Sequence, residues 1–306
     1  MTRTLRSLVS ALPVLALAAC APEDDASYIQ ALGEGADAGN KIFGGSAPTQ
    51  TWQNATVSLH TRSSTGSVSR SIFCSGTLIA PNWVLTAGHC VTSGSSVTSA
   101  TRIAVHVGTT TSSDSAFASN TYLVSAVYRH SSYSSSTLRN DIALLNLSSS
   151  VPGTTSGSVR GVTPVTNLPS ASGYAFTSSD VGSLNLNFAG FGTTSSGTYG
   201  TLLQTDVTLG GLGCTVSGCP SGYSSSTYQA MMISYSQSGA TSSRSDDEGP
   251  CSGDSGGPAF VDRGGTIYVG GVTSFGDSRC RTYGVSTRVD NYESWIEGYA
   301  GNLNGI

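Results

Sequence analysis

The chain has 306 residues, only 10% of them charged, and a formal net charge of -4. A single lysine and scattered arginines leave no basic stripe to neutralise phosphates, which excludes a nucleic-acid binder by composition. The helix-rich signature of a coiled coil is missing, and a hydrophobic fraction of 38% in short runs argues against a disordered chain.

In chain order, Arg3 and Arg6 precede a short apolar run at 8–17 that is too short to span a bilayer. Residues 1–19 therefore read as a secretion signal. The run ends Leu17-Ala18-Ala19-Cys20, which resembles a bacterial lipobox, so Cys20 is expected to carry lipid. An ordinary signal peptide cut near Ala19 or Ala21 is the alternative. Lipidation would remove Cys20 from the seven cysteines and leave six, which in an exported chain read as three disulfides. Residues 20–41 are acidic, rich in small residues and without hydrophobic periodicity, and read as a lipidated linker or pro-segment.

From Ile42 onward, short apolar segments alternate with Gly, Ser and Asn. The segments at 56–59, 76–79, 83–85, 103–107, 142–147, 202–207, 266–272 and 285–289 are rich in β-branched residues. They predict an all-β sandwich or barrel. Ser/Thr/Gly-rich stretches at 92–100, 110–120, 148–160, 193–200 and 221–227 read as surface loops. One helix is expected at about 290–300, capped by Asp290, with Glu293 in its first turn and Tyr292, Trp295, Ile296 and Tyr299 on one face.

Three motifs carry chemistry. Gly253-Asp254-Ser255-Gly256-Gly257-Pro258 places a serine in a glycine-rich turn that exposes its hydroxyl. Serine alone is a weak nucleophile and needs a base. Thr86-Ala87-Gly88-His89-Cys90 supplies a histidine after an apolar strand, and Asn140-Asp141-Ile142 supplies an acid at the head of another. His60, His106 and His130 lack such context and read as structural.

In this order the motifs resemble those of the chymotrypsin/trypsin family of serine proteases. Ile42-Phe43-Gly44-Gly45 is similar to the family's new N-terminus, residues 74–90 to its histidine segment and 130–147 to its aspartate segment. Residues 188–192 match its apolar-Gly-Trp-Gly stretch, 251–258 its serine segment and 272–289 its substrate-pocket strands. The resemblance spans about 42–300. It implies two antiparallel six-stranded β-barrels, at about 42–155 and 156–290, followed by the C-terminal helix. It assigns His89 as general base, Asp141 as its orienting acid and Ser255 as nucleophile. The amides of Gly253 and Ser255 would form the oxyanion hole. Ser274 would hydrogen-bond Asp141. Cleavage between Lys41 and Ile42 would free an ammonium to pair with Asp254 and order the site. A triad-bearing surface protein that binds without cutting is the alternative.

The resemblance also implies the disulfides Cys74-Cys90 and Cys251-Cys280. The family's third bridge has lost a partner here, at Ser234, so a local Cys214-Cys219 bridge is expected. The position six residues before the serine, which sets charge selectivity, is Gly249, followed by Pro250. Gly276 and Gly284 match the pocket walls, and Ser286 replaces the usual tyrosine. A wide, uncharged pocket favours large apolar side chains before the scissile bond. A loop shift that brought Asp246, Asp247 or Glu248, or Asp277 near the rim, under the pocket would favour Arg or Lys instead, and a small-residue preference is a third possibility. The loop at about 108–120 holds only Asp114, too few oxygens for a hard cation. No metal and no cofactor are expected. The expected partners are polypeptide substrates and an activating protease, with membrane contact only through a lipid anchor before activation. The protein is expected to be monomeric, and either an outer-membrane lipoprotein precursor or secreted after activation.

Overall fold

The computed structural model describes residue 42 and residues 45–152, 165–169, 174–192, 198–238 and 248–303. The signal segment, Cys20, Lys41, Phe43, Gly44, Asp246 and Asp247 lie outside the described residues.

The strands come in two groups. The first comprises β1 (Thr56–Arg62), β2 (Val68–Ala80), β3 (Trp83–Thr86), the two-residue hairpin strands β4 (Thr92–Ser93) and β5 (Ser96–Val97), β6 (Ile103–His106), β7 (Thr121–Arg129) and β8 (Ala143–Leu147). The second comprises β9 (Asn185–Gly190), β10 (Leu203–Leu212), β11 (Met232–Ser236), β12 (Pro258–Arg263), β13 (Thr266–Gly276) and β14 (Tyr283–Arg288). Twelve of them close into two six-stranded barrels, ordered β1-β2-β3-β8-β7-β6 and β10-β11-β14-β13-β12-β9, while β4 and β5 pair only with each other. Every ladder is antiparallel. Closure pairs every barrel strand on both sides, so neither barrel presents a free edge.

Burial explains the closure. Val57, Leu59, Leu78, Val84, Leu85, Val105, Leu144 and Leu145 of the first barrel's strands are fully buried, on the two faces of β3 and β8 alike. Gly76 pairs with Val57, and a Cβ there would lie 2.8 Å from Val84 Cγ1, so β2 passes β3 closely only as glycine. Phe188, Leu209, Ile233, Ala259 and Val261 fill the second barrel. Phe191, Phe260, Val272 and Val289 belong to the first core cluster, so apolar packing is continuous between the barrels.

The short helices are α1 (Ser226–Met231) and α2 (Glu293–Ala300). The expectation that Asp290 caps the terminal helix is corrected, because Tyr292 occupies the cap position. Asp290 is buried and bonds the Arg288 guanidinium, from Nε at 3.0 Å and Nη2 at 2.5 Å, and the Phe176 amide at 2.9 Å. A buried carboxylate is held by a cation in preference to two idle amides at a helix end. Ile296 is buried, while Tyr299 is 45% exposed and leans its ring on Tyr128.

The loop at 108–120 folds over two buried histidines. His60 bonds Ser58 Oγ through Nε2 (2.9 Å) and the Ser71 carbonyl through Nδ1 (3.1 Å). Burial first, then the neighbouring His106, lowers the His60 pKa to about 4, with Arg70 adding to the depression against hydrogen bonds that oppose it. The Arg70 guanidinium lies over the Phe117 ring and donates to the Thr111, Ser112 and Asp114 carbonyls.

His60 makes acid stability predictable. Its folded-state pKa lies below the ordinary 6.5, so the stabilisation is complete above 6.5 and is lost as pH falls from there towards 4. The loss attributable to this residue is about 3 kcal/mol. Urea unfolding at a series of pH values will show a shallower decline between 6.5 and 4 for His60→Gln than for the native chain.

Candidate active site

Three segments converge between the barrels. His89 opens a single 3-10 turn directly after β3. Asp141 stands just before β8, where Leu138 (φ 49) and Asn140 (φ 54) turn the chain sharply. Ser255 lies in the turn between Cys251 and β12. The Tyr292 hydroxyl donates to Asn140 Oδ1 at 3.0 Å, so the terminal segment supports the turn that aims Asp141.

Asp141 is fully buried and heavily hydrogen-bonded. Its Oδ2 accepts His89 Nδ1 at 2.8 Å and Ser274 Oγ at 2.5 Å, and its Oδ1 accepts the His89 backbone amide at 2.7 Å. Burial pushes the Asp141 pKa upward. The charge of His89 and the hydrogen bonds from His89 and Ser274 outweigh that, and the net shift is downward. For His89, burial favours the neutral ring, but the Asp141 charge and hydrogen bond prevail and raise its pKa. A carboxylate acceptor at Nδ1 requires the proton there, which leaves the Nε2 lone pair free. The His89 side chain is 21% exposed, so this face of the ring is accessible.

The serine turn is held from the first barrel. Ser75 in β2 donates its amide to the Ser255 carbonyl (2.8 Å) and its hydroxyl to the Gly253 carbonyl (2.9 Å). Gly253 (φ 93) and Gly256 (φ 80) lie in the left-handed region, and a Cβ on Gly256 would fall 2.2 Å from Thr86 Oγ1. The amides of Asp254, Gly256 and Gly257 have backbone acceptors, at Cys251, Thr273 and Asp254 respectively. Those of Gly253 and Ser255 have none among the described residues. Ser255 Oγ also makes no hydrogen bond there, a common state before substrate binds.

Asp254 is a second buried carboxylate, with a different balance. It accepts the Gly192 amide (2.7 Å) and the Cys251 amide (3.0 Å), and no cation pairs with it among the described residues. Burial raises its pKa to about 7 against those two hydrogen bonds. Gly190 and Gly192 make room for it: a Cβ on either would lie under 3 Å from its carboxylate. Ile42 is buried at 3% exposure and its carbonyl accepts the Gly45 amide.

The expected pocket positions come together. A Cβ on Gly276 would lie 3.4 Å from Gly284 Cα. Two side chains that the motifs did not single out fill this region. Tyr235 lays its phenol over Gly284, where a Cβ would fall 2.3 Å from the ring, and Gln237 lies against Gly249. Gln237 Nε2 donates to the Pro250 carbonyl at 2.6 Å. Glu248 is exposed. Ser75 and Thr287, whose hydroxyl donates to the Asp141 carbonyl at 2.9 Å, were also missed. Isolated serines and threonines carry no spacing signal in a chain rich in both.

Three disulfides are formed, Cys74-Cys90, Cys214-Cys219 and Cys251-Cys280. Cys74, His89 and Cys90 approach one another like a metal site, but both sulfurs are tied in a disulfide and offer no thiolate. The 108–120 loop does not fit a hard cation either. Asp114 already accepts the Ala116 amide and Asn120 Nδ2, and Arg70 occupies the loop carbonyls.

The family model described as Trypsin matches residues 42–296. The chain is 34% identical to a trypsin of Xenopus laevis over 230 residues, covering 74% of this chain and 80% of that protein. It is 33% identical to trypsin I-P1 of Gallus gallus over 230 residues, covering 74% and 78%. Similarity extends to Kallikrein-4 of Homo sapiens, 27% identical over 252 residues, covering 81% and 82%.

The space around Asp254 is testable apart from any activity. Gly192→Ala will cost about 1–3 kcal/mol in urea unfolding, because the new methyl must displace the carboxylate. Gly298→Ala, in α2 with open space around it, will gain roughly 0.5–1 kcal/mol.

Proposed function

The chain belongs to the trypsin family and is a serine endopeptidase, and from that premise we propose that His89, Asp141 and Ser255 are its catalytic triad. The observation that carries this reading is the buried Asp141 carboxylate, which fixes the His89 ring through Nδ1 at 2.8 Å while Ser274 holds the same oxygen. His89 Nε2 takes the proton from Ser255 Oγ as that oxygen attacks the peptide carbonyl. The idle amides of Gly253 and Ser255 receive the oxyanion. His89 then returns the proton to the departing amine, which leaves an acyl-enzyme for water to hydrolyse.

The chain is further proposed to be made as a zymogen. Asp254 is a buried carboxylate that no cation pairs with among the described residues, and Lys41 immediately precedes the buried Ile42. Cleavage after Lys41 by an activating protease frees the Ile42 ammonium to pair with Asp254. Export is supported by the three disulfides. With Cys20 lipidated, the same cut releases the enzyme from the membrane, because residues 21–41 contain no cysteine to tether it. The substrates are polypeptides, and the preferred residue before the scissile bond is large and apolar. Support for that preference is the absence of a charge at Gly249 and the exposure of Glu248.

One lysine makes the test clean: a lysine-specific protease has a single site in the chain. After that cut, a fluorophosphonate will label Ser255, and a mixed peptide library will be cleaved after large apolar residues, with Ser255→Ala inert. Failure to label or cleave, with Ile42 confirmed as N-terminus, would overturn the reading in favour of a non-catalytic binder. The acid limb of kcat/KM will lie above pH 6.5, since Asp141 raises the His89 pKa and only the neutral ring accepts a proton. Asp141→Asn will move that limb to lower pH and reduce kcat by about 10⁴.

Zymogen activation has its own signature in stability. The Asp254 pKa is raised in the folded state, so its contribution is complete below 3.8 and is lost as pH rises through 7, a total of about 4 kcal/mol. Pairing with Ile42 removes that loss. Urea unfolding will therefore show the cut form gaining on the uncut form between pH 5 and pH 7.5, and Asp254→Asn will abolish the difference.

A further inference from the structure

Activation requires the Ile42 ammonium to arrive at one buried carboxylate, and the chain that carries it is tied down four residues away. Ser46 is held to Gln204 of β10 by three hydrogen bonds. The Ser46 amide donates to the Gln204 carbonyl and the Gln204 amide to the Ser46 carbonyl, each at 2.9 Å. Gln204 Nε2 donates to Ser46 Oγ at 2.7 Å. The backbone pair is an isolated bridge rather than a rung of a ladder, so the side-chain bond reinforces it.

The Gln204 side chain is itself fixed. Its Oε1 accepts Asn187 Nδ2 at 2.6 Å and Gln53 Nε2 at 3.3 Å. Gln53 is buried, donates to Asn187 Oδ1 at 2.9 Å, and accepts the amides of Thr49 and Gln50 at its Oε1, at 2.8 and 2.9 Å. Asn187 Nδ2 also reaches Asp206 Oδ1 at 2.9 Å. The Gln204 amide therefore has one orientation, with its donor end towards Ser46.

Place in the sheet gives this tie a consequence. Gln204 stands between Ser46 on one side and Ala189 of β9 on the other. Adjacent strands lie about 5 Å apart, so the bridge is roughly 10 Å from the β9 backbone. Gly190 follows Ala189, and Asp254 packs against it so closely that no Cβ fits there. Residues 42–45 join the new N-terminus to Ser46, and four residues span at most about 14 Å. Ile42 already lies beside the bridge: a Cβ on Gly45 would fall 2.5 Å from Ile42 Cγ2 and 3.3 Å from the Gln204 carbonyl oxygen. The reach is sufficient, with little slack. With the bridge open, the next tie along the chain is the Thr49 amide on Gln53, and the free length grows from four residues to seven. The entropic cost of closing a loop rises with its length, so docking would weaken by about two- to threefold.

We propose that Gln204 is a positioning residue for activation, whose side chain pins Ser46 and so sets the short reach that delivers the Ile42 ammonium to Asp254. This rests on the zymogen reading and adds to it the element that aims the new N-terminus.

The test uses the single lysine of the chain. After a cut at Lys41, the Ile42 α-amine is the one primary amine of residues 42–306. Its carbamylation by cyanate, read as intact mass, therefore reports its docking. The full chain carries Ser255→Ala, so that self-digestion does not intervene. Asp254→Asn removes the anion and gives the rate of an undocked amine. Gln204→Leu keeps the volume and removes the side-chain ties, and its Ile42 amine will react about threefold faster than that of the native Gln204 chain at pH 7.5. Ser46→Ala removes one bond outside the barrel, and its amine will react faster too. Urea unfolding separates positioning from plain support: a merely structural tie lowers the midpoints of the cut and uncut chains alike, whereas Gln204→Leu will narrow the gap between them at pH 7.5. An amine no more reactive in Gln204→Leu, or in Ser46→Ala where the leucine variant folds poorly, overturns the proposal, as does an unchanged gap. An amine equally reactive in the native and Asp254→Asn chains overturns the pairing of Ile42 with Asp254 itself, so the two failures are distinguishable.

Discussion

The arrangement between the barrels depends on keeping one charge, Asp141, buried and satisfied. An isolated carboxylate in the interior would protonate or stay in water. Here it accepts three hydrogen bonds, two from His89 in the first barrel and one from Ser274 in the second. Thr287 of the second barrel bonds its backbone carbonyl. Both barrels therefore contribute to holding the charge that orients the imidazole.

The serine turn obeys the same logic in reverse. Ser255 is carried by the second barrel, yet Ser75 of the first holds its carbonyl and that of Gly253. Glycines at 253 and 256 let the turn adopt left-handed geometry under a strand that leaves no room for a side chain. The outcome is a turn with two amides that have no acceptor among the described residues. The amides of Asp254, Gly256 and Gly257 in the same turn all have backbone acceptors.

The two buried carboxylates behave differently because their partners differ. Asp141 has a titratable partner and a hydroxyl, and its pKa falls. Asp254 has two amides and, among the described residues, no cation, and its pKa rises to about 7. A group held near neutrality in this way responds to any new positive charge nearby. Elsewhere, Arg70 satisfies the carbonyls of the 108–120 loop from inside the chain. A guanidinium built into β2 gives that loop its order, beside two histidines kept neutral by burial.

What the sequence determined by itself was whatever depends on local chemistry. The strands with clean apolar runs, such as β3 and β8, were legible because burial on both faces gives an unbroken hydrophobic signal. The His, Asp and Ser motifs were legible because turns and close approaches demand particular residues, glycine above all. β7, β9 and β11 were not, since polar residues break their runs, nor was β12, whose apolar run is short; the places of all four are fixed by the strands they pair with. Asp290 looked like a helix cap until Arg288 was found folded back on it. Tertiary structure alone decided that Ser75, Thr287, Tyr235 and Gln237 belong to the site. Their partners are distant in sequence, and a serine or a glutamine has no local signature of what it will meet across a barrel wall.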